Sequence, residues 1–205
     1  MSMIKRVLLS SFTAMICMTS LYASEKEVLS PDGRLKVVVS DEGGIPSYQV
    51  FYDGVTFIEK SPLGMKTTIG DFTSSLSLGS EIKETSIRKN YRLPNIKKSK
   101  VEYAAESFTK EGRTAFDVEL RVSNNDVAFR YTVYPKKDIL CCVIQQETTG
   151  FVMPEGTTTF LCPQSGPMGG FARTSPSYET PYTVDDTMGK NGWGEGYTFP
   201  CLFKN

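Results

Sequence analysis

Few groups in this chain could do chemistry, and most of them crowd into one stretch. From Phe160 to Phe203 it reads FLCPQSGPMGGFARTSPSYETPYTVDDTMGKNGWGEGYTFPCLF, with Glu179, Asp185 and Asp186 close together and Glu195 between two glycines. Aromatic residues recur around these acids: Phe171, Tyr178, Tyr182, Trp193, Tyr197 and Phe199. The sequence has no histidine, which excludes a Ser-His-Asp or Cys-His nucleophile pair and a histidine metal site within it. No motif organises two of the four acids into an acid–base pair. Proline removes a backbone donor and clashes one turn back, so this proline- and glycine-punctuated stretch cannot hold an ordinary helix. An irregular segment this rich in aromatics and acids reads as an ordered functional loop, closed by a short strand from Tyr197 to Phe203.

Sulfur offers less. Cys141, Cys142, Cys162 and Cys201 follow the N-terminal segment, at spacings that match no disulfide scaffold. Adjacency of the first two replaces the two-residue gap of a zinc site. The ordinary reading is that the cysteines are small buried hydrophobes, with Cys141 and Cys142 pointing to opposite faces of a strand.

Residues 1–23 have the three parts of a secretory signal. Lys5 and Arg6 supply the positive charge, Val7 to Leu21 the apolar run, and Ala23 a small residue at the cut before Ser24. Serines and threonines interrupt the run, which is short for a membrane anchor, and Ala14-Met15-Ile16 poorly fits a lipoprotein signal ahead of Cys17. The expectation is a periplasmic or secreted chain with no membrane span after cleavage. The whole sequence has 23 basic and 23 acidic residues; removing Lys5 and Arg6 leaves 21 against 23, a net of −2. No basic surplus remains to bind phosphate backbones, so nucleic acid is not an expected partner.

The elements that must position the loop are strands. Ser30-Pro31-Asp32-Gly33 turns the chain into Leu35–Val39, Asp41-Glu42-Gly43-Gly44 turns it into Tyr48–Tyr52, and Asp53-Gly54 turns it into Val55–Ile58. Short turns imply an antiparallel meander, because parallel neighbours need longer crossovers. Residues 71–100 carry frequent serines and the basic run Lys97, Lys98 and Lys100, which suits a solvated loop or edge. Phe116, Val118, Leu120 and Val122 alternate with polar residues, Asn124-Asn125-Asp126 turns, and Val127, Phe129, Tyr131 and Val133 resume the alternation. Arg130 falls on the polar face, where a solvated or ion-paired arginine is the ordinary reading. Cys141–Gln146 and Thr157–Leu161 read as further strands. The fold class is all-β: an antiparallel β-sandwich of two sheets packed face to face.

Five stretches, in order, resemble the N-terminal domain of glycoside hydrolase family 97: Ser30–Leu35, Ser61–Gly64, Asn125–Tyr131, Ser177–Tyr182 and Gly196–Pro200. The resemblance implies a large supersandwich-type β-sandwich over residues 24–205, truncated at its C-terminus. It belongs to bacterial α-glucosidases and α-galactosidases whose catalytic carboxylates lie in a (β/α)₈ barrel, absent from these residues. It also implies a Ca²⁺ ion held mainly by barrel carboxylates, with one ligand from this domain. The pattern Glu-x-x-Tyr-Thr puts that ligand at Glu179, with Glu195 as the fallback. No hydrolysis by this chain alone is expected. It would shape the cleft for an α-linked oligosaccharide and supply one metal ligand to the missing catalytic barrel. The alternative is a free-standing carbohydrate-binding module, or non-catalytic fragment, with Tyr178, Tyr182, Trp193 and Tyr197 as a stacking surface.

Overall fold

A computed structural model describes residues 23–80, 83–88, 100–110, 113–134, 141–161, 184–187, 197 and 200–205. The first four strands are β1 (Glu25–Leu29), β2 (Leu35–Ser40), β3 (Ser47–Tyr52) and β4 (Val55–Pro62). They form one antiparallel sheet in chain order, the meander expected from the turns. Asp53 and Gly54 both take positive φ, 50° and 81°, the condition for a tight two-residue hairpin turn that matches strand twist. Between β2 and β3 the chain makes a 3-10 turn, Glu42–Gly44, with Gly43 and Gly44 at φ 64° and 75°.

The short strands β5 (Met65–Thr67), β6 (Gly70–Asp71) and β7 (Ser77–Leu78) follow, then β8 (Lys83–Arg88), β9 (Lys100–Lys110), β10 (Arg113–Val122) and β11 (Val127–Val133). A second antiparallel sheet runs β11-β10-β9-β7, with β8 also paired to β9. The stretch 71–100, obscure in sequence, thus supplies β7 and β8, while Lys97 and Lys98 lie outside the described residues. The alternation in β10 is realised in full: Phe116, Val118, Leu120 and Val122 are at most 1% exposed. They share one core with Val37, Val39 and Val50 of the first sheet and with Leu63 and Met65. Burying each such side chain contributes roughly 1.5–3 kcal/mol, and this common core is what makes the two sheets a sandwich. Arg130 faces solvent and pairs with Glu119 across the β10–β11 ladder at 2.7 Å, in keeping with the ion-pair reading.

Two small sheets complete the description. β12 (Ile144–Glu147) pairs with β5, which pairs with β6; β13 (Thr158–Phe160) lies between β14 (Asp186–Thr187) and β15 (Leu202–Lys204). The strand expected over Cys141–Gln146 starts only at Ile144, and every residue of β12 is exposed. Cys141 and Cys142 precede it as exposed free thiols, which overturns their reading as buried hydrophobes: a short edge strand with no covered face has no interior to offer them. Cys201 is half-buried, and Cys162 lies outside the described residues. The strand expected from Tyr197 to Phe203 begins at Leu202; Pro200, which has no N–H to give a ladder, sits in a bend. Its partner is the earlier strand β13, through Thr159 opposite Phe203. Among the described residues no helix is long and apolar enough to cross a membrane.

Candidate functional site

Of the acids singled out in sequence, Glu179 and Glu195 lie outside the described residues, as do Phe171, Tyr178, Tyr182, Trp193 and Phe199. Asp185 and Asp186 are described. Asp185 takes φ 54° and accepts hydrogen bonds from Lys204 Nζ at 3.1 Å and from Thr158 Oγ1 at 3.1 Å. The Lys204 ammonium, and then the Thr158 hydroxyl, hold its carboxyl below the usual carboxylate range. That makes it an ion-paired staple of the small β14-β13-β15 sheet. Asp186 is paired in the same sheet, opposite Thr159. Among the described residues no group of three or more acids, cysteines or histidines could hold a metal ion, so these residues do not by themselves build a Ca²⁺ site.

What the described residues do build is an aromatic cleft between the two main sheets. It has a volume of about 160 Å³. Leu35 comes from β2, Tyr48 and Val50 from β3, Phe57 and Ile58 from β4, and Val127 and Phe129 from β11; Phe151 and Asn125 complete the wall. The rings are coupled inward. Phe151 meets Tyr48 edge-on at 6.3 Å, Tyr48 meets Phe129 at 5.6 Å, and Phe129 meets Tyr131 at 5.9 Å. Tyr131 then packs edge-on against the fully buried Phe116 at 5.5 Å. Offset and edge-on rings at such distances attract through their quadrupoles, so the cleft wall is continuous with the core.

The segment 143–152, which contains β12, is laced to β4 and β5 by backbone bonds. Thr148 N–H donates to Gly64 O, Gly150 N–H to Pro62 O, and Glu59 N–H to Val152 O. Two phenols reinforce it: Tyr48 Oη donates to Gly150 O at 2.9 Å, and Tyr131 Oη lies 2.7 Å from Thr149 Oγ1. Burial pushes the Tyr48 phenol up to about 12 and raises that of Tyr131. Both therefore remain protonated donors around neutral pH. Among the described residues that line the cleft there is no carboxylate, thiol or amine.

Two of the stretches that suggested a family resemblance prove to be architectural. In Ser30–Leu35 the Ser30 hydroxyl donates to Asp32 at 2.7 Å and accepts from Leu35 N–H at 2.9 Å. Asp32 N–H in turn reaches Asn124 Oδ1, 92 residues away, at 3.2 Å. Arg34 grips Asp53 through two nitrogens, at 2.9 and 2.6 Å. In Ser61–Gly64, Ser61 and Leu63 are at most 1% exposed, and Ser61 Oγ takes the Val152 N–H. Sequence reasoning missed the cleft. Phe57 and Phe151 each looked like one apolar residue of an ordinary strand or loop, and only their half exposure (50% each) beside each other sets them apart.

Comparison with known proteins accounts for the ordering of these motifs. Residues 28–205 match the family model described as Glycosyl-hydrolase 97 N-terminal. A crystal structure of a beta-arabinopyranosidase is similar with a TM-score of 0.76 and 41% identity, over 87% of this chain and 29% of that one. A probable retaining alpha-galactosidase of Streptomyces bingchenggensis is 31% identical over 140 residues, 64% of this chain and 20% of its own length. A Glycoside Hydrolase Family 97 enzyme from Pseudoalteromonas sp. strain K8, in complex with panose, shares the fold at a TM-score of 0.57 and 22% identity. It is matched over 67% of this chain and 22% of that one. The chain thus spans between a fifth and three tenths of the length of these relatives.

Proposed function

The chain belongs to glycoside hydrolase family 97 through its N-terminal domain, and from that membership we propose that it is the accessory β-sandwich of an exported family 97 glycosidase. In this reading residues 1–23 direct export and residues 24–205 form the sandwich. A catalytic barrel carries the carboxylates that cleave the glycoside. The sandwich borders the sugar cleft, and Glu179 supplies one oxygen ligand to a Ca²⁺ ion. Ca²⁺ takes six to eight oxygens, so the remaining ligands come from the barrel. Bound there, the ion would fix and polarise substrate oxygens. The observation that carries the reading is the family match over residues 28–205, in a chain that covers under a third of these relatives.

The substrate class is an α-linked or stereochemically equivalent pyranoside, and the galacto configuration is favoured over gluco. The two more similar relatives are named for arabinopyranoside and galactoside cleavage, and L-arabinopyranose is galactose without its exocyclic carbon. The test is the reading frame beyond codon 205, expressed as one protein. A barrel-coding segment and hydrolysis of nitrophenyl α-galactoside or β-L-arabinopyranoside are expected. A frame with no such segment refutes the accessory-domain reading. In that protein Glu179→Gln should weaken Ca²⁺ binding at least about tenfold in a calorimetric titration, as loss of one carboxylate ligand would. Unchanged affinity removes Glu179 from the site. The alternative of a free-standing module requires heat of binding when this chain alone meets millimolar galacto- or maltooligosaccharide.

A further inference from the structure

We infer that Asp41 is the receptor for the α-ammonium group created at Ser24 when residues 1–23 are cut away, so that removal of the export segment completes a tie between the two main sheets; this rests on the export reading above. The Ser24 N–H donates to Asp41 Oδ1 at 2.7 Å, and the Asp41 N–H donates back to Ser24 O at 3.3 Å. The pair carries the β1–β2 ladder one step beyond Glu25 opposite Ser40. The second carboxylate oxygen, Oδ2, accepts the Leu78 N–H at 2.7 Å. Leu78 belongs to β7, in the other main sheet. One side chain thus holds the start of the first sheet against a strand of the second.

The carboxylate is aimed away from its ordinary use. An aspartate ahead of a helical turn usually accepts from the first N–H groups of that turn. Asp41 precedes the 3-10 turn Glu42–Gly44 and makes no such bond; the Glu42 N–H goes to Ser40 Oγ instead. Among the described residues no lysine or arginine pairs with Asp41. Its negative charge therefore rests on two neutral N–H donors, and one of them is the nitrogen that cleavage frees. Hydrolysis of the Ala23–Ser24 amide by a signal peptidase consumes one water. The water oxygen joins the Ala23 carbonyl carbon, which leaves as a carboxylate, and both water hydrogens end on the Ser24 nitrogen as an ammonium. A hydrogen bond between a charged donor and a charged acceptor is stronger than one with a neutral donor. The uncut chain offers one neutral donor here, the cut chain a cation with three. The charged groups on the adjoining segments are Glu25 and Lys26 of β1 and Glu42, which pairs with Lys60 of β4; β7 adds only Ser77 and Leu78.

The experiment uses the full product of the reading frame, exported through its own leader. Mass spectrometry of its first peptide should find Ser24 as the N-terminus. Competitive acylation across a pH series, read on that peptide, should place the α-amine about one unit above its ordinary range of about 7.7–8.0. Two variants should return it to that range. Asp41→Asn removes the charge, and a threonine inserted between Ala23 and Ser24 moves the ammonium out of reach while leaving Asp41 in place. The insertion decides the matter if the substitution prevents folding. An α-amine inside the ordinary range in the unaltered protein overturns the inference, as does a raised value that persists after the insertion, or cleavage at another bond. Each of these leaves the export and accessory-domain readings standing. A product retained in the cell with residues 1–23 attached overturns the export reading and the inference with it.

Discussion

Gly64, in the Ser61–Gly64 stretch, offers the sharpest test of how this sandwich is held together. Its φ is +121°, and a Cβ built on it would lie 2.3 Å from the carbonyl oxygen of Phe72. The obstacle is backbone, so one strand must move. Gly64→Ala should therefore carry two costs. An L-residue at positive φ costs about 1–2 kcal/mol. Displacement would also disturb the bonds from Thr148 N–H to Gly64 O (3.0 Å) and from Phe72 N–H to Met65 O (2.9 Å), at about 1 kcal/mol each. The sum is about 3–4 kcal/mol, a large part of the stability of an ordinary domain. Gly33→Ala is the control: φ is +74°, but nothing lies within 4 Å of its added Cβ, so only the first cost applies. Equilibrium urea unfolding followed by far-ultraviolet circular dichroism would compare the two. A difference of about 2 kcal/mol corresponds to a midpoint shift on the order of 1 M. If Gly64→Ala is no less stable than Gly33→Ala, the close approach of residues 64 and 72 is wrong.

Phe116→Ala should destabilise by about 3–5 kcal/mol, because Phe116 is fully buried and carries the ring contacts to Phe72 and Tyr131; a loss below 1 kcal/mol in the same urea assay would dissolve the common core. Acid should loosen the turns at Asp32 and Asp53. The Ser30 hydroxyl lowers the first carboxyl and the Arg34 guanidinium the second, so their contribution is present above the unfolded range near about pH 4. It is lost as pH falls through the depressed folded values. Ser30→Ala should flatten that dependence in a pH series of urea midpoints, and an unchanged slope would count against it. Finally, Cys141 and Cys142 are exposed, so both should react with a thiol reagent in the native chain as fast as after denaturation; slow reaction would restore the buried reading.

Much of the sandwich was legible locally. Alternation from Phe116 to Val122 assigns each side chain to a face because strand geometry repeats every two residues. The pair Asp53-Gly54 announces its hairpin because few residues accept positive φ. Other features depend on partners far along the chain. The bond from Asp32 to Asn124 spans 92 residues, and nothing beside either residue forecasts the other. Cys141 and Phe151 occur in apolar surroundings that resemble any interior strand, yet burial requires a neighbouring layer, and only the assembled sheets reveal where a layer is missing.

By itself the sequence determined that the chain is built of antiparallel strands with apolar and polar faces, since turn chemistry and period-two patterning act over a few residues. Tertiary structure decided that residues of β4 and β11 line one cleft, that Gly64 must lack a Cβ, and that Asn205 lies against Phe57. These are consequences of strand order and packing, which are set by the sum of long-range contacts and not by any one segment.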